Sequence, residues 1–220
     1  MPLSAVLEIF KTSLVVVSAL FPIVNPLGNA PIFLSLTPGY SSAARSTLSR
    51  KIALNSFWLL TGSMLIGSHI LDFFGISLPV VQIGGGLVVI STGWTLLQQE
   101  SEQPQAAMKR KISMRDIANR AFYPLTLPLT VGPGSISVAL TLGANQSPHR
   151  GNLVRIAAAI IGPALLSAVI YFCYRFAERL ARFLGDTAMN VIVRLASFIL
   201  VCIGVQILWN GVRSLVSLAH

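Results

Sequence analysis

Six long apolar runs restrict the possible folds of this chain more than any single motif does. They span about Leu14–Leu36, Ile52–Leu71, Leu78–Leu97, Ala121–Ala144, Ile156–Tyr174 and Val191–Trp209. Each is long enough, at about 1.5 Å per helical residue, to cross a hydrocarbon core about 30 Å thick. Of the 220 residues 54% are hydrophobic and only 10% are charged, too few charges to cover a soluble domain of this length. In lipid the backbone must satisfy its own polar groups, so these runs read as helices. The expected fold class is an all-α integral membrane protein with six transmembrane helices. The N-terminus has neither a basic n-region nor a small-residue cleavage site, so the first run is expected to persist as a helix.

The net charge of +9 invites a nucleic-acid reading, but the charges are distributed otherwise. Arg45, Arg50 and Lys51 lie between runs 1 and 2, and Lys109, Arg110, Lys111, Arg115 and Arg120 between runs 3 and 4. Arg175, Arg179, Arg182 and Arg194 surround the connection between runs 5 and 6. These twelve fall on one side, against four (Lys11, Arg150, Arg155 and Arg213) on the other. The positive-inside rule therefore puts the three basic connections in the cytoplasm and both termini outside, which is periplasmic for a bacterial inner membrane. The partners expected for these side chains are membrane lipids, and no nucleic acid. Cys173 and Cys202 sit inside apolar runs without ligand-spaced companions, so neither a metal nor a cofactor is expected.

The one long polar stretch, Gln98–Arg120, reads as a cytoplasmic linker. It divides the chain into a first three-helix repeat (1–98), a linker (99–120) and a second three-helix repeat (121–220). At an offset of 102, FPIVNPLGNAPIFLS aligns with YPLTLPLTVGPGSIS: Pro22 meets Pro124, Pro26 meets Pro128, Pro31 meets Pro133 and Ser35 meets Ser137. With short gaps, Phe73-Phe74-Gly75 before run 3 also matches Phe183-Leu184-Gly185 before run 6. Three crossings per half make the repeats inverted in the membrane, a 3+3 architecture that recurs in secondary transporters.

Proline lacks an N–H and biases the residue before it away from the helical region, so runs 1 and 4 are expected to be broken helices. Backbone freed at membrane depth must be buried in protein or line a wet cavity. Pro31 and Pro133 each suit the first position of a new half-helix. The free N–H groups of Ile32 and Phe33, and of Gly134 and Ser135, would then attract a carboxylate, while freed carbonyls would suit an ammonium group. The candidate solute-binding residues are Asn25, Pro26, Gly28, Asn29, Thr130, Gly132, Gly134 and Ser135. Thr126 and Ser137 add polar groups, and Gly28, Gly132 and Gly134 are expected to permit close approach and positive φ. The competing reading is a pair of kinked helices whose Asn and Thr side chains merely satisfy freed backbone.

Other polar positions point less directly to function. Asn55, Thr61, Ser63, Ser91 and Thr92 suit interhelical hydrogen bonds, and Gly84-Gly85-Gly86 and the Ala158/Gly162 spacing suit close helix packing. Pro163 is expected to kink run 5. His69, Asp72 and Gln82 are expected in solvent near the outer ends, and Arg194 to snorkel to the interface. None of the seven carboxylates falls clearly at mid-membrane, so no proton relay is evident. With no nucleophile–base pair or phosphate loop either, an enzyme is not expected.

NPLG-x2-PIF, FGIS-LP before the glycine run, and PLTLPL-x-GPGSIS after the linker together resemble the MarC family over nearly the whole chain. The resemblance implies a bacterial six-helix inner-membrane protein and, for some members, transport of small neutral amino acids such as glycine or alanine. It maps the family motif onto Asn25, Pro26, Gly28 and Pro31, and onto Pro128, Gly132, Pro133 and Gly134. Where relatives often carry an arginine before the glycine run, this chain has Gln82, while the matching place in run 6 keeps Arg194. The expected function is a secondary carrier for a small zwitterion; the alternatives are a non-transporting scaffold or sensor, and a small-solute channel. Self-association into a homo-oligomer is left open by the sequence.

Overall fold

The computed structural model describes residues 3–98, 119–144 and 152–218. The polar linker, except its last two residues, lies outside them. Every regular element among the described residues is helical: α1 (Leu3–Val24), α2 (Pro26–Leu36), α3 (Ser42–Phe73), α4 (Leu78–Gln98), α5 (Ala121–Thr130), α6 (Pro133–Ala144), α7 (Asn152–Arg175) and α8 (Ala177–Leu218). Four stretches are long and apolar enough to cross a membrane, namely Ala5–Leu34 through α1 and α2, Leu78–Thr95, Leu153–Arg175 and Ser197–Ser217. The expected second and fourth runs lie in α3 and in α5–α6, which do not meet the same measure. In α3 the polar Asn55, Ser56, Thr61 and Ser63 dilute the apolar face, and α6 is only 12 residues long. Phe10, Trp58, Trp94, Phe172 and Trp209 all stand exposed. Bulky apolar groups outward on this scale suit a surface that meets lipid rather than water.

Exchanging α1–α4 for α5–α8 leaves the packing pattern nearly unchanged. α3 packs on α7 and α4 on α8. α1 meets α7 as α5 meets α3, and α4 meets α6 as α8 meets α2. The matched glycines both have positive φ: 65° at Gly75 and 70° at Gly185. At Gly185 this turns the chain inside α8, separating a short first part from the long apolar remainder.

The α4–α8 seam is set by glycines. A Cβ on Gly86 would lie 2.7 Å from the backbone nitrogen of Leu208 and 2.8 Å from the carbonyl of Gly204. One on Gly204 would lie 2.8 Å from the nitrogen of Ile90 and 2.9 Å from the carbonyl of Gly86. Gly93 faces Ser197 and Val201, and Gly211 faces Pro79 and Ile83, so the two helices run antiparallel. The side chains of Ile83, Ile90 and Val201 pack directly onto the facing glycines, so a larger residue at those positions has no room. Gly162 of α7 likewise abuts Val16 of α1, as the small-residue spacing predicts, and α7 runs through Pro163 without a break. The buried centre, with Leu20, Val24, Phe33, Ile52, Leu60, Val131, Leu166, Ile170 and Tyr174, lies where α1–α2, α3, α5–α6 and α7 converge.

Candidate functional site

The first break falls at Asn25, before Pro26, and not before Pro31. Asn25 adopts the left-handed region (φ 44°, ψ 56°) and its Oδ1 accepts the Gly28 N–H at 3.1 Å, capping α2. Pro26 takes the first helical position, where its missing N–H costs nothing. Pro31 stays inside α2, because Ala30 before it has no side chain that could cap a new start. The donors at this helix start are therefore those following Asn25, and not those of Ile32 and Phe33. Gly28 is required by space: a Cβ there would strike the Asn25 amide that lies over it. Positive φ belongs to Asn25 itself, and to none of Gly28, Gly132 and Gly134.

The second copy breaks more often. Tyr123 (φ −125°, ψ 125°) and Leu127 (φ −106°, ψ 127°) are extended, each just before a proline. Between them the chain forms wide turns, and the Val131 N–H reaches back five residues to the Thr126 carbonyl at 2.8 Å. The Thr126 hydroxyl donates to the Ala121 carbonyl at 2.6 Å and the Thr130 hydroxyl to that of Leu125 at 2.7 Å. α6 then starts at Pro133, as the sequence predicts. Behind Pro133, the N–H groups of Gly134 and Ser135 belong to the first turn and have no acceptor within the helix. The Ser135 hydroxyl donates to the Gly132 carbonyl at 2.9 Å. Gly134 is buried against Val89 of α4, so its small size permits this approach.

Asn29 joins the two copies. Its Nδ2 donates to the Val24 carbonyl at 2.9 Å and, across the molecule, to the Leu129 carbonyl at 2.9 Å. The carbonyls expected to be free for an ammonium group are therefore largely covered by Asn29, Thr126 and Thr130. Tyr174 of α7, fully buried, pairs its hydroxyl with that of Thr130 at 2.8 Å and stacks on Phe33 at 4.8 Å. Asn55 reaches the Thr126 hydroxyl at 3.3 Å. Gln82, expected in solvent, instead faces Thr141 at 3.5 Å, whereas His69, Asp72 and Arg194 are exposed.

A cavity of about 450 Å³ lies between the two breaks. Six of the eight candidate residues line it: Asn25, Asn29, Thr130, Gly132, Gly134 and Ser135. Pro26 and Gly28 do not; they form the cap beneath Asn25. The remaining wall is mainly apolar and includes Val88 and Val89 of α4 and Leu200 of α8, which the proline motif gave no means of finding. None of the described lining residues is ionisable, and no group of side chains suited to a metal ion occurs among the described residues. Below the cavity, Arg45 pairs with Glu178 of the other half and donates to the Thr37 carbonyl at 2.8 Å and the Thr37 hydroxyl at 3.2 Å. Burial pulls the Arg45 guanidinium below its ordinary value.

These features define an all-helical membrane protein in which two proline-broken segments meet at an uncharged cavity. The chain belongs to the MarC family of integral membrane proteins, whose family model matches residues 10–216. It is similar to the UPF0056 membrane protein YvbG of Bacillus subtilis (strain 168), 31% identical over 90% of this chain and 92% of that protein. The UPF0056 inner membrane protein MarC of Salmonella typhimurium (strain LT2) is 32% identical over 97% of this chain and 100% of that protein. Its namesake in Escherichia coli O1:K1 / APEC is 31% identical over the same shares. No solved structure matches the chain.

Proposed function

We propose that this protein is a multi-pass inner-membrane carrier for a small, neutral amino acid-like zwitterion. In this reading α3 and α5–α6 complete six crossings, the two halves form a 3+3 inverted repeat, and both termini are periplasmic. The exchange symmetry of the packing and the positive φ at both Gly75 and Gly185 support the repeat. Relatives named as inner membrane proteins support the location.

The observation that carries the reading is the cavity between the two breaks, lined by residues of both. A scaffold has no use for a recess at that point, whereas a carrier needs one between the elements that move. The N–H groups of Gly134 and Ser135 at the start of α6 suit a carboxylate. The Asn25 Oδ1, which keeps a lone pair beyond the one it gives Gly28, suits an ammonium group. Because no ionisable side chain among the described residues lines the cavity, a net-charged solute would meet no counter-charge there, whereas a zwitterion brings its own. At about 30 Å³ per water, 450 Å³ holds about fifteen waters, so the smallest amino acids would bind together with water.

Reconstitution into liposomes with a panel of labelled amino acids, with and without sodium and pH gradients, tests the proposal. Uptake or exchange of neutral amino acids, lost in Asn25→Ala, is the expected result. No movement of any of them under any gradient would remove the substrate claim.

A further inference from the structure

A second site lies at the elbow between α7 and α8. We propose that Arg175 and Arg179, mounted on Phe176, bind the phosphate headgroup of an anionic phospholipid. This rests on the protein being membrane-embedded and is independent of the carrier reading.

Both guanidiniums sit on one ring. The Arg175 Cζ is 5.9 Å and the Arg179 Cζ 5.4 Å from the Phe176 centroid. Helical backbone bonds run through Phe176, from its N–H to the Phe172 carbonyl at 3.0 Å and from the Leu180 N–H to its own carbonyl at 2.9 Å, so Arg179, three residues on, returns to the same face as the ring. The nearest carboxylate in sequence, Glu178, is committed to Arg45. Among the described residues neither Arg175 nor Arg179 has an acidic partner. Both cations lie within about 6 Å of the same ring centre, and a phosphate beside that ring would offer each planar fork a matching acceptor. Arg182 adds to the basic rim; it lines a recess with Leu34, Arg45 and Glu178.

The apolar surroundings favour a lipid as the source of the phosphate. Phe172 lies parallel to Phe176, with centroids 6.3 Å apart and the planes 1° from parallel, so an aromatic ladder continues from the arginines one turn along α7. Phe172 is 55% exposed and Phe183, on the short first part of α8, 88% exposed. Aromatic groups flanking basic ones in this way place an element at the headgroup level of a bilayer. A topology signal requires only the charges. It does not require them to be fixed on one ring with the neighbouring carboxylate drawn away.

The test uses the full-length protein in detergent, with native mass spectrometry and thermal unfolding as readouts. The probes are dioleoyl-phosphatidylglycerol, dioleoyl-phosphatidylcholine and inorganic phosphate. Phosphatidylglycerol should bind about tenfold more tightly than phosphatidylcholine, and R175Q/R179Q should abolish that preference. Phe176→Leu keeps both charges and should lower the preference about threefold, which covers the case of a double variant that fails to fold. Arg213→Gln, far along α8, should leave it unchanged. Equal retention of both lipids, or a preference surviving in R175Q/R179Q and in Phe176→Leu, overturns the site. Stabilisation by inorganic phosphate equal to that by phosphatidylglycerol overturns the lipid as its occupant.

Discussion

The segments Phe21–Ser35 and Tyr123–Ser137 share three prolines at the same spacing, yet their backbones differ. In the first, two of the three residues that precede a proline, Phe21 and Ala30, stay helical, and the whole break is concentrated at Asn25. In the second, Tyr123 and Leu127 both go extended, and a third interruption precedes Pro133. The side chain before the middle proline accounts for the difference. Asparagine tolerates the left-handed region and carries an acceptor for the next helix start. Leucine can do neither, so the second chain spreads its distortion over ten residues and covers its carbonyls with threonine hydroxyls. Proline spacing thus sets where a break is possible. The residue before each proline sets what form it takes.

Three substitutions test this contrast. The largest effect is expected from Asn29→Leu, which leaves the Val24 and Leu129 carbonyls buried without their shared donor. It should cost about 2–3 kcal/mol in thermal or denaturant unfolding in detergent. A loss below about 0.5 kcal/mol would mean that the two breaks are not tied through this amide. Next is Asn25→Leu, which gives the first copy the residue of the second. Loss of the cap and the cost of a left-handed leucine should together remove about 2 kcal/mol, with Asn25→Gly losing only a few tenths. If both variants unfold alike, backbone conformation is not what asparagine supplies. Third, Thr130→Val should cost about 1–2 kcal/mol, and adding Tyr174→Phe should cost less than the sum of the two single effects, since both remove the same hydroxyl pair. Strict additivity would separate them.

The smallest effect is expected where the halves meet at the basic end. Glu178 is 43% exposed, so solvent screens its pairing with Arg45, and Glu178→Gln should change stability by less than about 1 kcal/mol. A greater loss would show that this pair binds the two halves together as strongly as Asn29 does.

Much of this was legible beforehand. Long apolar runs gave the helical membrane character, Pro133 the start of α6, and the small residues the tight α1–α7 and α4–α8 contacts. Two paired landmarks, Gly75 and Gly185, both take the positive φ that favours glycine. The first break falls at Pro26 and not at Pro31, although the two prolines are equally good helix starts on their own. Only the capping amide of Asn25 decides between them, through a bond three residues long. The Asn29–Leu129 and Arg45–Glu178 contacts join residues 100 and 133 positions apart, and no local pattern encodes either pairing. Tyr174 carried a faint signal: a tyrosine at the end of an apolar run needs a partner for its hydroxyl once buried.

The glycine seam between α4 and α8 holds two long helices at close quarters. At Gly86 and Gly204 backbone approaches backbone, and at Gly93 and Gly211 the side chains of Val201 and Ile83 occupy the space a Cβ would need, so the pair is packed along its length. The short helices α2, α5 and α6 are packed as well, through Phe33, Leu125 and Ala139 in the buried core, and around the cavity they add hydrogen bonds from Asn29, Thr126, Thr130 and Ser135. Such bonds can be traded one at a time for bonds to water or to a solute at about 1 kcal/mol each. The polar groups that a solute could exchange with thus border the cavity, beside the close-packed α4–α8 pair that supplies its outer wall through Val88, Val89 and Leu200.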